Sequence, residues 1–171
     1  MPYAVQLAVY LVFPAALALA ALSDLLTMTI PNRLTLFLAA AFVVILPLTG
    51  PDLQTAGLHV AAGALGLAIA FAMFALGWIG GGDAKLAAAV ALWFGWTFQT
   101  LEFVAYASVF GGLLTIGLLG FRRMVLPGFG TLPGWVKRLH DEEAGVPYGI
   151  ALACGALAVY PGTVWSSILA G

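Results

Sequence analysis

Two of the seven acidic side chains in this 171-residue chain lie in apolar surroundings. Asp24 lies in LSDLLTMTIPN and is followed directly by two leucines, whereas Asp83 follows three consecutive glycines in WIGGGDAKL. Two carboxylates at one site cannot both ionise cheaply, so they share a proton near neutral pH. The ionised member can then take a proton from water while the protonated member polarises a carbonyl. The pair therefore predicts aspartyl protease chemistry, with no metal, cofactor or covalent intermediate.

Both aspartates also have a structural interpretation. Asp83 can cap the helix that follows it, because its carboxylate can accept hydrogen bonds from the free N–H groups of the first turn. Asp24 can simply mark the end of the first apolar helix. The glycines Gly80, Gly81 and Gly82 count against capping alone, since glycine serves where the backbone approaches something closely or takes φ > 0. They suit tight helix packing as well, so both interpretations stay open.

The remaining residues with chemical potential offer no competing site. Five acidic residues are expected to be solvated loop or end groups: Asp52, Glu102, Asp141, Glu142 and Glu143. His59 and His140 lack ligand-like spacing, and we expect both to be ordinary interfacial histidines. Ser166 and Ser167 have no nearby base that could activate a nucleophile. Cys154 is the single cysteine, which excludes an intrachain disulfide and a CxxC centre.

The elements that carry the two aspartates must lie in a membrane. Apolar residues make up 63% of the chain and charged residues only 8%, and the mean hydropathy is +1.09. A soluble domain carries about 25% charged residues, so an ordinary soluble protein and a disordered chain are both excluded. The net charge of −1 gives no support for nucleic-acid binding. The lipid bilayer is the expected environment.

The apolar runs predict an all-α membrane protein, a bundle of about six transmembrane helices forming one domain over residues 1–171. A helix needs about 20 apolar residues to cross the hydrocarbon core. The runs are apolar on every face, which excludes a transmembrane β-barrel. The first run lacks a basic segment before it and is expected to be retained rather than removed as a signal peptide. The approximate spans are 3–23, 31–48, 58–79, 83–98, 100–121 and 147–169, with a loop at 122–145.

The basic residues predict how this bundle is oriented. With six spans, all six Lys and Arg residues fall in connections on one side, which the positive-inside rule assigns to the cytoplasm. Both termini are then on the non-cytoplasmic side of the inner membrane. Asp24 and Asp83 lie at the cytoplasmic ends of their helices. The two aspartates are therefore expected at the same depth.

The long connection 122–145 permits two interpretations. Its second half, WVKRLHDEE, can form a short interfacial helix that dips Trp135, Val136 and Leu139 into the headgroups, or it can be a solvated basic loop. The five tryptophans are expected to anchor the membrane boundaries. They are Trp78, Trp93, Trp96, Trp135 and Trp165.

Two motifs in this order resemble those of a known family. GGGDAKL at 80–86 resembles the GxGD signature of intramembrane aspartyl proteases, and its GxGDxKL form is similar to that of the type IV prepilin peptidases. Upstream, Asp24 is followed seven residues later by Pro31 and Asn32, which is similar to the family's other element. VPYGIALA at 146–153 resembles the opening of the family's last helix. The resemblance covers nearly the whole chain.

The resemblance implies an endopeptidase that removes a short basic leader from prepilins or pseudopilins at the cytoplasmic face. It makes Asp24 and Asp83 the catalytic pair and Gly80 and Gly82 the motif glycines, with supporting positions at Pro31, Asn32 and Lys85. Lys85 can orient or tune Asp83, or it can only extend to the interface. Other pilus assembly proteins are possible partners.

The departures from the family pattern indicate a subtype. Larger bifunctional members carry an N-terminal cytoplasmic insertion with paired cysteines and also methylate the new N-terminus. This chain has neither the insertion nor the paired cysteines, so N-methyltransferase activity is not expected. The short form is similar to the peptidases of tight-adherence (Flp) pilus systems, and archaeal preflagellin peptidases resemble it as well.

Two other classes of function remain open. A small transporter could use Asp24 and Asp83 as a proton or cation relay, because paired carboxylates in a bundle are also typical of ion pathways. A non-catalytic assembly subunit of a pilus or secretion machine would use the aspartates as caps. It would tolerate Asp83→Asn, since asparagine also caps helices well.

Overall fold

The computed structural model describes residues 3–126 and 128–167, and helices account for nearly all of their regular structure. The backbone groups of an apolar chain in lipid must pair internally, which a helix achieves within one segment. The helices are α1 (Tyr3–Thr27), α2 (Asn32–Thr49), α3 (Leu53–Ala75), α4 (Gly81–Phe94), α5 (Phe98–Arg122), α6 (Gly134–His140), α7 (Tyr148–Val159) and α8 (Val164–Ser167).

Four of these helices are long and apolar enough to cross a membrane. They cover Gln6–Thr27, Asn32–Thr49, Leu53–Ala75 and Phe98–Arg122. The helix α4 has 14 residues, so at 1.5 Å per residue it is about 21 Å long and falls short of a full hydrocarbon core. It is also shorter than the predicted span 83–98.

The last predicted span, 147–169, is not one continuous helix. The helix α7 ends at Val159, and a single 3₁₀ turn at Tyr160–Gly162 follows it before α8 begins. Pro161 lies inside this turn, where it cannot donate a backbone hydrogen bond to continue the α-helix. Residues 168 and 169 of the prediction lie outside the described residues.

The two short helices α4 and α7 lie in the centre of the bundle. The helix α4 packs against α2, α3 and α7, while α7 also packs against α1 and α5. Eight of the 14 residues of α4 and seven of the 12 residues of α7 are buried, compared with four of 23 in α3. The long helices therefore form an outer layer around two short ones, which matters because α4 carries Asp83.

The centre also contains an aromatic cluster, which lies towards the C-terminal end of α4, away from Asp83. It consists of Phe13, Phe42, Trp93, Tyr160 and Trp165. Neighbouring rings lie about 5 to 6 Å apart, within the range of favourable aromatic pairs. Their polar atoms bond to backbone carbonyls, as in the 2.9 Å bonds from Trp93 Nε1 to Leu38 and from the Tyr160 hydroxyl to Val9.

Three predictions of interfacial side chains are wrong. Trp93 and Trp165 are 0% and 1% exposed, because their rings fill the centre of the bundle and both N–H groups are bonded to carbonyls. His59 is also buried, between the rings of Phe42 and Trp165, and its Nδ1 lies 2.9 Å from the carbonyl oxygen of Leu92. Trp78 and Trp96 are exposed, as expected of boundary residues.

Candidate active site

Asp24 lies in the last full turn of α1 and is only 4% exposed. Its Oδ2 accepts a hydrogen bond of 2.7 Å from the backbone N–H of Gly149. Gly149 is in the first turn of α7, where backbone N–H groups have no partner within their own helix. The carboxylate therefore does not mark a solvated helix end. It joins the end of α1 to the beginning of α7.

Asp83 is the third residue of α4 and is partly buried. Its Oδ2 accepts a hydrogen bond of 3.2 Å from the backbone N–H of Gly80, the N-cap residue. The capping contact expected of Asp83 is therefore present. A cap needs only one carboxylate oxygen, which leaves the other available for different chemistry.

The fold brings these two carboxylates together from distant parts of the chain. Ile30 packs against Gly149, whose N–H bonds to Asp24. The same side chain packs against Gly82, the residue before Asp83, so one residue separates the two acidic helix turns. Each carboxylate also faces the N-terminus of a short central helix, Asp24 that of α7 and Asp83 that of α4. The positive end of a helix dipole stabilises a negative charge. Two helix N-termini thus offset part of the repulsion between two neighbouring acids.

Two further motif residues are joined directly to each other. Lys85 Nζ donates a hydrogen bond of 2.8 Å to Oδ1 of Asn32. This contact ties the fifth residue of α4 to the first residue of α2. Pro31 precedes Asn32 as the N-cap residue of α2 and is exposed. The side chain of Lys85 thus has a hydrogen-bond partner on α2.

The triple glycine has a structural cause within the protein. Of the two uses of glycine considered above, a positive φ is absent at Gly80, Gly81 and Gly82. Close approach is present instead. A Cβ on Gly82 would lie 3.1 Å from Cβ of Ile30 and 3.3 Å from its backbone nitrogen.

Sequence reasoning missed two residues of this site. Ile30, in the short connection between α1 and α2, packs against both Gly82 and Gly149. Gly149 lies inside the VPYGIALA segment, so the motif contained it without indicating its contact with Asp24. No signal in the sequence distinguishes Ile30 from other aliphatic residues, because only the fold shows what it touches.

The connection after α5 folds over this same end of the bundle. The helix α6 confirms the helical interpretation of its second half. Arg138 Nη1 donates a 2.7 Å hydrogen bond to the carbonyl of Leu26, two residues after Asp24. The guanidinium of Arg122 bonds to three carbonyls, those of Leu139, Ala144 and Gly145. Backbone carbonyls and arginines thus fix the connection beside the two aspartates.

An apolar cavity of about 880 Å³ lies between α5, α6 and α7. Trp135, Val136 and Leu139 of α6 line it, rather than pointing away from the helices. Ile150, adjacent to the Gly149 that bonds to Asp24, lines it as well. Across the residues that the structure describes, no group of three or more His, Cys, Asp and Glu side chains could hold a metal ion.

The family of the chain is shown by a comparison with family models. The model of the type IV leader peptidase family matches residues 11–116. The chain belongs to this family. The matched range includes Asp24, Asp83 and the glycines before Asp83, and it ends within α5. Comparison with curated proteins and with solved structures finds no match.

Membership in the type IV leader peptidase family confirms the resemblance found in the two motifs. It identifies the protein as a membrane protease whose substrates are prepilins, consistent with its four long apolar helices. The match ends before Gly149. The hydrogen bond from Gly149 to Asp24 is therefore seen in the structure and does not follow from the family match.

Proposed function

We propose that this leader peptidase is an aspartic endopeptidase that removes the leader from Flp-type prepilins, with Asp24 and Asp83 as its catalytic residues. The observation that carries the proposal is the convergence of the two acids. They come from α1 and α4, each is held by a backbone N–H at a helix N-terminus, and Ile30 packs against both of these helix turns. Paired carboxylates that share one proton can serve as base and acid in the same step.

In the proposed reaction, the ionised aspartate takes a proton from a water molecule bound between the two acids. The water oxygen adds to the carbonyl carbon of the scissile peptide, and the protonated aspartate donates its proton to the carbonyl oxygen. The tetrahedral intermediate then collapses, and a proton passes to the leaving amine as the C–N bond breaks. The proton belongs to the pair rather than to one named aspartate.

We also propose that the site faces the cytoplasm. Hydrogen bonds place Lys85 and Arg138 at the same end of the bundle as the two aspartates, and Arg122 holds the connection that carries Arg138. The positive-inside rule assigns a cluster of basic residues to the cytoplasmic side. In this arrangement α4 and α7 complete a six-span topology with both termini outside, and the long helices shield the two short ones from lipid.

One observation favours a second candidate. The bond from Gly80 to Asp83 is a helix cap, which is what a non-catalytic assembly subunit would need from this residue. Asparagine keeps an acceptor oxygen for the same bond, yet it cannot act as a base. The substitution Asp83→Asn therefore separates a capping role from a catalytic one.

The test is co-expression with an epitope-tagged Flp-type prepilin, with leader removal followed on a gel. We expect cleavage by the wild type, and none by Asp24→Asn or Asp83→Asn, a loss of about 1,000-fold or more. Asp52→Asn is the matched control, because it makes the same replacement at an exposed helix cap. Cleavage by either site variant at matched membrane levels would contradict the proposal.

A further inference from the structure

Ile30 occupies the space between the two helix N-termini that hold the aspartates. It lies in the four-residue connection between α1 and α2 and is 7% exposed. The connection begins with Met28 at a left-handed φ of 55°, so the chain turns sharply after α1. This turn directs Ile30 back against the first turns of α4 and α7.

The contact with α7 involves the tip of the side chain. A Cβ on Gly149 would lie 2.6 Å from Cδ1 of Ile30 and 2.8 Å from Oδ2 of Asp24. Real Cβ atoms do not come this close to other heavy atoms. The absence of a side chain at Gly149 therefore lets Ile30 and the carboxylate of Asp24 reach the same helix turn.

The contact with α4 involves the other end of the same residue. A Cβ on Gly82 would lie 3.1 Å from Cβ of Ile30, 3.3 Å from its nitrogen and 3.4 Å from its carbonyl oxygen. Gly82 directly precedes Asp83. Ile30 thus touches α4 through its backbone and Cβ, and α7 through its terminal methyl group.

We propose that Ile30 is a positioning residue whose length, from backbone to Cδ1, sets the separation between the two aspartates. The inference rests on the proposed function, in which both carboxylates must reach one water. Misplacement of a reacting group by about 1 Å can cost about 100-fold in rate. A change in the spacing should therefore lower kcat while the affinity for the prepilin stays the same.

The different contacts of Gly82 and Gly149 give a specific test. Ile30→Val removes Cδ1, which the Cβ of an alanine at position 149 would strike, but it keeps the Cβ and the backbone that crowd position 82. An alanine at position 149 would still meet Oδ2 of Asp24, so Ile30→Val should rescue Gly149→Ala in part, and it should not rescue Gly82→Ala. A general loosening of the core would not distinguish between the two glycines.

The experiment measures kcat and KM for the purified full-length enzyme in detergent, with a purified, tagged Flp-type prepilin as the substrate. We expect Gly149→Ala to lose about 50-fold in kcat with KM within about twofold, and the double variant Gly149→Ala/Ile30→Val to recover about tenfold. Gly82→Ala should lose about as much, with or without Ile30→Val. Equal recovery of both glycine variants, or of neither, would overturn the proposal.

A second pair of variants covers the case in which the glycine variants do not fold. Ile30→Ala should lower kcat by about 20-fold at unchanged KM, because the spacer then lacks both Cγ1 and Cδ1. Ile45→Ala is the control, since Ile45 is also buried but lies in the C-terminal half of α2 and contacts neither glycine. The proposal is wrong if both alanine variants change kcat equally. If the wild type does not cleave, or Asp83→Asn does, the proposed function has failed instead.

Discussion

The two ends of the bundle are packed with different types of residue. At one end, large rings pack around Trp93, and their N–H and O–H groups bond to backbone carbonyls of neighbouring helices. At the other end, small residues allow helix N-termini to approach each other, and Ile30 packs against both of them. The first end, here called the aromatic end, is filled by buried rings. The second, here called the acidic end, contains Asp24 and Asp83.

This difference explains how the molecule can hold two neighbouring carboxylates. Like charges at close range destabilise the folded state when both are ionised, and burial adds a desolvation cost. Packing of aromatic side chains, which bury about 150 to 250 Å² each, supplies stability that does not depend on protonation. Packing at the aromatic end can thus stabilise the fold and offset the cost of holding two carboxylates close together at the acidic end.

The largest effect on stability is expected at the aromatic end. Trp93→Ala removes a fully buried ring that packs against Phe13, Phe42 and Trp165, and it leaves a cavity. We expect a loss of about 4 kcal/mol in the free energy of unfolding, together with a lower midpoint of thermal unfolding followed by circular dichroism in detergent. Leader cleavage at low temperature should stay within about threefold of wild type per folded molecule.

The matched control for this prediction is Trp78→Ala. Trp78 is 70% exposed, so its removal leaves no internal cavity and should change the unfolding midpoint little. The comparison between the two ends fails if the two tryptophan variants are equally stable. It also fails if Trp93→Ala abolishes cleavage while the enzyme is still folded.

A smaller effect is expected from the contact between Lys85 and Asn32 at the acidic end. Lys85→Met keeps the apolar stem and removes the ammonium group that bonds to Asn32. We expect cleavage to fall about fivefold, because the start of α4 is no longer tied to the start of α2. Asn32→Ala should have the same effect, and the double variant should be no worse than either single variant.

The cleavage assay for these variants also separates the roles considered for Lys85. If Lys85 tunes Asp83 by its charge, Lys85→Met will lower activity more than Asn32→Ala does. If Lys85 only extends to the interface, both variants will behave like wild type. Arg123→Met, at another exposed basic residue after α5, serves as the control for a general loss of positive charge.

Some of this architecture could be predicted because it follows from local composition. The apolar runs predicted helices, and a charge pattern along the chain placed Asp24 and Asp83 at one depth. The early end of α7 also had a signal, because Pro161 and Gly162 lie within the predicted span. Proline there removes a backbone donor and clashes with the preceding turn.

Other features could not be predicted, since a membrane protein is apolar on its lipid-facing and its buried surfaces alike. Hydropathy therefore gave no reason to place Trp93 inside and Trp78 outside. The same ambiguity hid Ile30, one of many aliphatic residues in the chain. Its importance depends on the approach of Gly82 and Gly149, which only the packing of α4 and α7 creates.

The smallest effect is expected at Asp52, which, like Asp83, accepts a backbone hydrogen bond at a helix N-terminus but lies at the opposite end of the bundle. Asp52 is the N-cap of α3, and its Oδ1 accepts a 2.7 Å hydrogen bond from Thr55 N–H. Hydrogen bonds from the side chain and backbone of Thr55 lower the pKa of Asp52. Its stabilising charge is therefore fully present above the ordinary aspartate pKa and is lost only as the pH falls through the lowered value.

Asp52→Asn should leave the rate of leader cleavage within about twofold of wild type across pH 6 to 8, with an unchanged pH profile. A shifted profile would show that a carboxylate far from the candidate site contributes to the reaction, and the two ends would no longer be functionally distinct.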